Sequence, residues 1–384
     1  MDGYREIYLK ELEENVIPFW MNNCPDRGFG GYFTCLDRDG SIYDTVKFMW
    51  MQWRIVYMLS EFYAKLRPEK EWLEQASQGF EFLKRHGKAG NGWYYFSIER
   101  DGTPSTAPYS VFSDCFACMG SAALFRATGR DDAKKEALSA YRTYLSRKDN
   151  PKGPWEKKMP GAKRWSSLGF HMMQANLAMI MSECLGNDEF LPDIIQASET
   201  IFSKFWNPEM KMMFENIPDG GGFDLDSITG RHLNPGHAIE SMWFLMEAAR
   251  RRGDQNTITK AAEVILAMFE LGWDREHGGF FYFMDALGKP NAELHWDMKL
   301  WWVHCEATIA ADMAFHNTGR KEFRDWFMKI HDWTWSHFPD PQYGEWFAYL
   351  NRRGEPTSYM KGGKWKTLFH LPRMLLICGK TIDS

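Results

Sequence analysis

Hydrophobic residues recur at helical spacing over most of the chain, in segments separated by short polar stretches. The candidate helices lie near 3–20, 44–66, 71–87, 110–128, 132–147, 167–185, 190–206, 235–252, 255–271, 299–318, 321–338 and 366–380. Four of them are followed by a glycine and a new polar start, at Gly129, Gly186, Gly253 and Gly319. A glycine just past a helix end provides the left-handed cap from which the chain turns into a second helix. The pattern therefore predicts pairs of helices joined by tight turns.

The segments between these pairs repeat a second pattern, in which glycine and aromatic residues precede a polar turn ending in glycine. Four copies are clear and a fifth is weaker: GFGGYFTCLDRDG (28–40), NGWYYFSIERDG (91–102), HGGFFYFMDALG (277–288), YGEWFAYLNRRG (343–354) and MKMMFENIPDGG (210–221). The third and fourth copies start 66 residues apart, close to the 64 residues that six equal repeats of a 384-residue chain would have. In each copy hydrophobic and polar residues alternate and the segment ends in turn residues, which predicts a short β-hairpin.

A repeat of this length determines the fold. Six helical hairpins can close into a ring of inner and outer helices, so that no terminal repeat exposes an apolar face. We therefore predict an all-α fold, an (α/α)6 barrel with short β-hairpins on one face; an open helical solenoid is the alternative. No linker rich in Pro, Gly or Ser divides the chain, so residues 1–384 are treated as one domain. The hairpin face should hold the pocket, lined by the first turns of the inner helices.

Composition narrows the classes of partner. The net charge of −5 and the absence of a long basic face argue against nucleic acid or an anionic membrane. The first 20 residues mix charged and apolar residues, so we expect neither a signal peptide nor a membrane anchor. Seven scattered cysteines, with a lone CxxC at Cys115 and Cys118, indicate buried reduced thiols and a cytoplasmic protein. Aromatic residues make up 16% of the chain, which indicates a sugar-stacking site, an aromatic core, or both.

Polar residues occupy the first turns of all the predicted inner helices. They are Arg54, Asp114, His171, His237, Glu240, His304, Glu306, His370 and Arg373, and aromatic residues such as Trp243 and Trp302 accompany them. Any one of these histidines taken alone is more typical of a core or capping residue. Their common position in the repeat nevertheless predicts a shared functional site.

Three chemistries compete for such a site. The histidines lack HxH or HExxH spacing, and the nearby carboxylates can equally orient imidazole rings, so we predict no metal. An inverting glycosidase would need two carboxylates, from among Glu240, Asp297 and Glu306, and would leave the histidines without a role. Imidazoles titrate near neutral pH and can remove and return a proton on a carbon next to a carbonyl. Two bases on opposite faces would invert that carbon, one base would isomerise an aldose to a ketose, and Arg54 suits the developing oxyanion.

Seven segments of the chain resemble the N-acylglucosamine 2-epimerase family, whose mammalian members are also called renin-binding proteins. They are GGYFTCLDRDG, KFMWMQWR, FSDCF, NPGHAIESMWFL, WDMKLWWVHCEA, YGEWFAYLNRRG and KGGKWKTLFHLPR, and they span Gly30 to Arg373. The resemblance implies an isomerase with an (α/α)6 barrel. It also implies a homodimer that interconverts N-acetyl-D-glucosamine and N-acetyl-D-mannosamine by deprotonation and reprotonation at C2 of the open-chain sugar.

The resemblance also assigns roles to individual residues. The family's catalytic histidines correspond to His237 and His370, and its substrate-binding and orienting positions to Arg54, Glu240, Glu306 and His304. We place Asp114, His171, Trp243, Trp302 and Arg373 with the substrate as well. His171 looks like a position found in the related cellobiose 2-epimerases. A D-mannose or cellobiose 2-epimerase, or an aldose–ketose isomerase, is therefore the alternative activity.

Members of this family typically need ATP as an activator that is not consumed. The segment RKDNPKGPWEKK (147–158) looks like the nucleotide-binding stretch of the bacterial branch, through Lys148, Asn150, Lys152 and Gly153. It is not a P-loop, and without the resemblance it would be a solvated basic loop. We expect no consumed cofactor. A partner-binding protein without catalytic activity is the hypothesis from a different class, since the mammalian relatives bind renin.

Overall fold

The computed structural model describes residues 2–380, in which helices alternate with small antiparallel strand pairs. The α-helices are α1 (Asp2–Glu11), α2 (Ile17–Asn23), α3 (Met49–Glu61), α4 (Lys70–His86), α5 (Phe112–Thr128), α6 (Asp131–Arg147), α7 (Leu168–Leu185), α8 (Leu191–Thr200), α9 (Ile228–Arg231), α10 (Pro235–Arg252), α11 (Gln255–Gly272), α12 (Trp301–Thr318), α13 (Lys321–His337) and α14 (His370–Lys380). Helical turns of other types extend or join them at Leu12–Val16, Phe62–Leu66, Gly153–Trp155 and Ile201–Phe205.

Helices α3, α5, α7, α10, α12 and α14 pack side by side as an inner ring, and the other long helices lie outside it. The ring closes between α14 and α3, where the rings of Tyr57 and Phe369 are 5.9 Å apart. At the other end of these helices, Lys380 Nζ donates to the carbonyl of Leu66 at 3.2 Å. The predicted (α/α)6 barrel is therefore confirmed. Between residues 2 and 380, no helix is long and apolar enough to cross a membrane.

Burial explains which helices are inner and which are outer. In α12, every residue from Trp301 to Asp312 is buried, so the helix has protein on all sides. In α13, burial is confined to a stripe at helical spacing, from Phe323 to Thr334. The inner helices α5, α7, α10 and α12 end at the four predicted glycines, each with φ between 67° and 71°. Because that conformation disfavours side chains with a Cβ, these glycines permit the tight turn into the next outer helix.

The strands all lie in the long loops that precede inner helices. They are β1 (Cys35–Leu36), β2 (Ile42–Asp44), β3 (Lys47–Phe48), β4 (Ser97–Ile98), β5 (Pro104–Thr106), β6 (Trp165–Ser167), β7 (Trp206–Asn207), β8 (Met212–Met213), β9 (Asn216–Pro218), β10 (His232–Leu233), β11 (Met284–Asp285), β12 (Lys299–Leu300), β13 (Tyr349–Leu350) and β14 (Pro356–Ser358). The antiparallel pairs are β1–β2, β3–β4, β4–β5, β6–β9, β7–β8, β10–β11, β12–β13 and β13–β14. Strands β3, β6, β10 and β12 thus pair with the loop before the next inner helix, which ties neighbouring repeats together on one face.

Four of the five predicted hairpins contain a strand pair, whereas in 277–288 the local pairing is a single bridge between Trp273 and Phe280, and β11 pairs with β10. Two helix starts also differ from the prediction. The helix expected near 44–66 starts at Met49, because Lys47 and Phe48 pair as a strand with β4. The helix expected near 366–380 starts at His370. Before it, the buried Lys366 is held by Glu345 at 2.8 Å.

Three clusters of one aspartate, one lysine and one arginine join successive hairpins. The pattern is clearest at Asp340, whose carboxylate lies 2.9 Å from Lys361 Nζ and 2.8 Å from Arg38 Nε. Arg38 belongs to the first hairpin and Asp340 to the last, so this cluster helps to close the ring. The equivalent clusters are Asp26 with Lys47 and Arg100, and Asp274 with Lys299 and Arg352. Each lysine is fully buried, so it depends on its aspartate for charge compensation.

Candidate active site

Two histidines converge from helices that flank α12. His237 lies in the first turn of α10, where the side chain of Asn234 accepts from its backbone N–H at 3.2 Å and caps the helix. His370 is the first residue of α14. Trp302, from α12 between them, has its ring centre 5.5 Å from that of His237 and 5.7 Å from that of His370. The two imidazoles therefore lie next to the same indole.

His370 is held by a buried network of charges. Its Nδ1 lies 2.7 Å from Glu306 Oε1, and Trp243 Nε1 donates to the other oxygen of Glu306 at 2.9 Å. The guanidinium of Arg373 donates at 2.7 Å to Glu306 and at 2.7 Å to Glu240. Burial lowers the pKa of His370 well below its ordinary value, and the nearby Arg54 and Arg373 lower it further. The ring is therefore a neutral base near pH 7, with its proton on Nδ1 and its Nε2 available.

His237 has a different environment. Its Nδ1 lies 3.1 Å from Glu215 Oε2, and Ser167 Oγ donates to the other oxygen of Glu215 at 3.1 Å. Burial opposes protonation of the ring, but the charge and hydrogen bond of Glu215, with the charge of Glu240, outweigh it and raise the pKa of His237. The His237 side chain is 31% exposed, against 9% for His370. The site thus pairs a more basic, accessible imidazole with a less basic, buried one.

Arg54 completes the centre of the site. Its guanidinium lies over three aromatic rings, with centroid distances of 4.1 Å to Phe116, 4.5 Å to Phe369 and 4.8 Å to Trp50. Burial lowers the pKa of Arg54 to about 9, although the charge of Glu240 opposes the change, so the group is still a cation at neutral pH. We find no hydrogen bond from Arg54 within residues 2–380. Its donors are therefore available to a developing negative charge.

Asp114 and His304, both predicted to bind substrate, bind the protein's own backbone instead. Asp114 accepts from the backbone N–H of Tyr94 at 3.1 Å and forms an ion pair with Arg147. His304 accepts from the backbone N–H of Phe280 at 2.9 Å through Nε2, while its Nδ1 lies 2.7 Å from the carbonyl of Leu300. Both side chains are buried and have their polar atoms occupied, so we assign them to the support of the hairpins.

His171 lies apart from the central cluster. Its Nε2 is 3.0 Å from Ser166 Oγ. Burial lowers the pKa of His171 to about 4, and Lys148 is the first of the charged groups that influence it. The structure therefore places His171 beside the segment predicted to bind nucleotide, and not with Glu306 and His370.

The segment that contains Lys148, Asn150, Lys152 and Gly153 is an exposed loop. The backbone N–H groups of Asn150, Gly153 and Trp155 all donate to carbonyls within this segment, at 2.9 to 3.1 Å. Lys148 Nζ pairs with Asp149 at 3.1 Å. A phosphate cradle needs backbone N–H groups that point at the ligand, so the loop backbone does not form such a cradle in this conformation.

Carboxylates at the centre of the site are arranged neither for a metal nor for glycoside hydrolysis. Ligand atoms of Glu240, Glu306 and His370 lie within 4.8 Å of one another, but Arg373 is already hydrogen-bonded to both carboxylates. A metal ion there would have to displace that cation. An inverting glycosidase needs carboxyl groups about 6.5–9.5 Å apart with a water between them, whereas these two share one guanidinium.

Glu215 is the functional residue that the sequence analysis missed. It lies in the weakest copy of the hairpin pattern, one residue after Phe214. The backbone N–H of Phe214 donates to the carbonyl of Phe205. In the other hairpins the equivalent hydrogen bond is donated by the backbone N–H of Phe33, Tyr95, Phe281 and Phe347. The residues that follow these four are Thr34, Phe96, Tyr282 and Ala348. A charge at a position that is uncharged in the other four copies was the available signal.

Comparisons with known proteins point to one family and one fold. The family model described as N-acylglucosamine 2-epimerase (GlcNAc 2-epimerase) matches residues 31–373. The N-acylglucosamine 2-epimerase of Bos taurus is 36% identical, over 100% of this chain and 92% of its own length. The cellobiose 2-epimerase of Eubacterium cellulosolvens is 25% identical, over 97% of each chain. The solved structure of cellobiose 2-epimerase from Bacillus thermoamylovorans superposes with a TM-score of 0.85 at 19% identity, covering 100% of both chains, which shows a shared fold.

Proposed function

Because the chain belongs to the N-acylglucosamine 2-epimerase family, we propose that it interconverts N-acetyl-D-glucosamine and N-acetyl-D-mannosamine. It is a carbohydrate epimerase, an enzyme of the isomerase class. One observation carries the proposal: two imidazoles lie next to the same indole, Trp302, and each has its Nδ1 held by a carboxylate, so Nε2 is the atom that each ring can use for proton transfer. Two bases so placed can reach the two faces of one carbon.

The reaction follows from the charges of the two rings. In the open-chain sugar, the C2–H bond lies next to the C1 aldehyde and is weakly acidic. Nε2 of the neutral His370 takes that proton, and the electron pair of the broken bond forms a planar enolate. Arg54 stabilises the negative charge on oxygen. The protonated His237 then gives its Nε2 proton to the other face of C2, which forms the new C–H bond and inverts the carbon.

The identity of the relatives favours the N-acetylated sugar. The relative at 36% identity is named N-acylglucosamine 2-epimerase, whereas the cellobiose 2-epimerase is 25% identical. We therefore do not favour a cellobiose or D-mannose epimerase, or an aldose–ketose isomerase, as the main activity.

The test is an assay in heavy water with N-acetylglucosamine, N-acetylmannosamine, mannose, cellobiose and fructose, read by NMR. We expect turnover of the two amino sugars, with deuterium at C2 of the product. Replacing His237 or His370 by Asn should lower the rate by about 10²- to 10⁴-fold, the usual weight of general acid–base catalysis. Product without the label, or unchanged rates in both variants, would rule out the two-base reaction.

Three finer features belong to the same proposal and rest on the family resemblance. We propose that ATP activates the enzyme without being consumed, that the protein is a homodimer, and that it acts in the cytoplasm. Because the loop backbone does not form a phosphate cradle, activation would depend on the side chains of Lys148 and Lys152. A rate increase with ATP that disappears in Lys152→Ala would support the activator. Light scattering tests the dimer, and cell fractionation tests the compartment.

A further inference from the structure

The two histidines have carboxylate partners that differ in how their charge is compensated. Glu306, the partner of His370, accepts from Arg373 as well as from Trp243. Glu215, the partner of His237, accepts from Ser167 and has no lysine or arginine within ion-pair distance in the described chain. The negative charge of Glu306 is therefore shared with a guanidinium, whereas Glu215 has no such cation beside it, and its charge acts on His237 and also on His232 and Tyr282.

Glu215 is also fixed by its backbone. Its carbonyl accepts from the N–H of Leu168 at 2.9 Å, and its own N–H donates to the carbonyl of His232 at 3.2 Å. These bonds hold the residue between the start of α7 and strand β10, next to the first turn of α10. The side chain is largely buried, so solvent does little to screen its charge from the imidazole.

On this basis we infer that Glu215 is the positioning residue that keeps the proton on His237, so that the free enzyme starts with an acid at His237 and a base at His370. The inference rests on the proposed two-base reaction and adds the starting distribution of protons. In the direction that begins from this state, one turnover moves one proton from His237 to the sugar and one from the sugar to His370. The free enzyme must then return to its starting state by proton exchange with solvent, and Glu215 favours that return.

The other groups around His237 do not replace this effect. The charged or titratable side chains that surround it, besides Glu215, come from three elements: Glu240 on α10, His232 on β10 and His370 on α14. Glu240 is already hydrogen-bonded to Arg373, and His232 and His370 are imidazoles whose pKa values burial lowers. Glu215 is therefore the carboxylate whose removal should change His237 most.

The experiment compares wild type with Glu215→Gln, and uses Glu293→Gln as a matched control. Glu293 acts on His232 and is not in contact with His237, so its variant also removes one negative charge near the site. NMR titration of ¹³C-labelled histidine, with signals assigned from the His237→Asn and His370→Asn variants, follows each ring without substrate. The pH dependence of kcat/KM for N-acetylglucosamine provides the second readout.

We expect the pKa of His237 to fall by about 1 to 3 units in Glu215→Gln, the usual effect of losing an opposite charge at this distance. The alkaline limb of the pH profile should move down with it, while Glu293→Gln leaves both unchanged. The conservative variant Glu215→Asp keeps the charge, so it should return the alkaline limb at least partly to its wild-type pH. A merely structural role would lower activity without moving the limb.

Two results would overturn the inference: an unchanged His237 titration in folded Glu215→Gln, or a His370 ring that titrates above His237 in the wild type. The second comparison needs no variant of Glu215, so it can overturn the inference even if Glu215→Gln does not fold. If the wild type turns over neither amino sugar, the proposed function fails. The histidine titrations would still decide whether Glu215 controls the proton on His237.

Discussion

Replacing Arg373 by Met should destabilise the protein in a pH-dependent way, because it removes the cation that two buried carboxylates share. The guanidinium donates 2.7 Å hydrogen bonds to Glu240 and to Glu306, and all three residues are at most 5% exposed. Met has a similar length without the charge, so the packing around the site should be largely retained. The experiment therefore tests the electrostatic role of Arg373.

The expected size follows from the burial of the two carboxylates. Breaking a buried ion pair from one side costs about 3–5 kcal/mol, because the remaining charge is uncompensated. The variant can reduce this cost by keeping a proton on a carboxyl group, and burial already raises the pKa of Glu306 while Arg373 opposes that rise. A carboxyl group with a raised folded-state pKa binds more protons in the folded state, so stability falls as pH increases through that pKa. The deficit should therefore be small near about pH 5.5 and reach about 3–5 kcal/mol near about pH 8.

Urea unfolding of wild type and Arg373→Met, measured from about pH 5 to 8, provides the test. Arg164→Met is the matched control, because the Arg164 side chain is 73% exposed and pairs with an exposed aspartate. We expect the control to change stability by less than about 1 kcal/mol at every pH. Equal stability of Arg373→Met and wild type near about pH 8, or a deficit that shrinks as pH rises, would show that Glu240 and Glu306 are not both charged in the folded protein.

Three further substitutions test other parts of the structure. Arg54→Met should lower kcat/KM for the amino sugar by about 10²- to 10³-fold, the effect of losing an oxyanion donor, and a loss below tenfold would contradict that role. Asp340→Asn should lower the free energy of unfolding in urea by about 3–5 kcal/mol. Adding Lys361→Met should recover most of that loss, because the buried cation that lost its partner is then removed as well. His304→Ala should cost about 1–3 kcal/mol by leaving the N–H of Phe280 unpaired, whereas His304→Gln should keep the bond; a raised KM in His304→Gln would return His304 to the substrate site.

The fold could be predicted from the sequence because each repeat carries two independent signals. Helices with apolar residues on all sides alternate with helices that have a single apolar stripe, as α12 and α13 show. Glycines that cap the inner helices mark where each pair turns. Helix starts were less predictable at Met49 and His370, because the residues before them are apolar or buried but belong to strands and loops.

The site was less predictable, because polar residues at the start of an inner helix have two different roles. Gln52, Asp114 and His304 each accept from the backbone N–H of an aromatic residue in their own hairpin, at 2.8, 3.1 and 2.9 Å. Arg54 and Glu306 come two residues after Gln52 and His304, and two residues turn an α-helix by about 200°. They therefore face the centre of the ring while the earlier residues face the hairpin. Position along the helix, which the sequence analysis used, does not separate the two directions.

Repetition around the ring is what distinguishes these roles. A contact that the fold needs recurs in several repeats, as the Asp–Lys–Arg clusters and the hairpin contacts of Gln52, Asp114 and His304 do. The two carboxylate–imidazole pairs are built differently: Glu215 stands where the other hairpins have uncharged residues, and Glu306 on α12 holds His370 on the neighbouring α14. A polar residue that departs from its repeat is not explained by a contact that every repeat needs, and Glu215 and Glu306 each hold one of the two imidazoles. By that criterion Glu215 groups with His237 and His370, and His304 groups with Gln52 and Asp114.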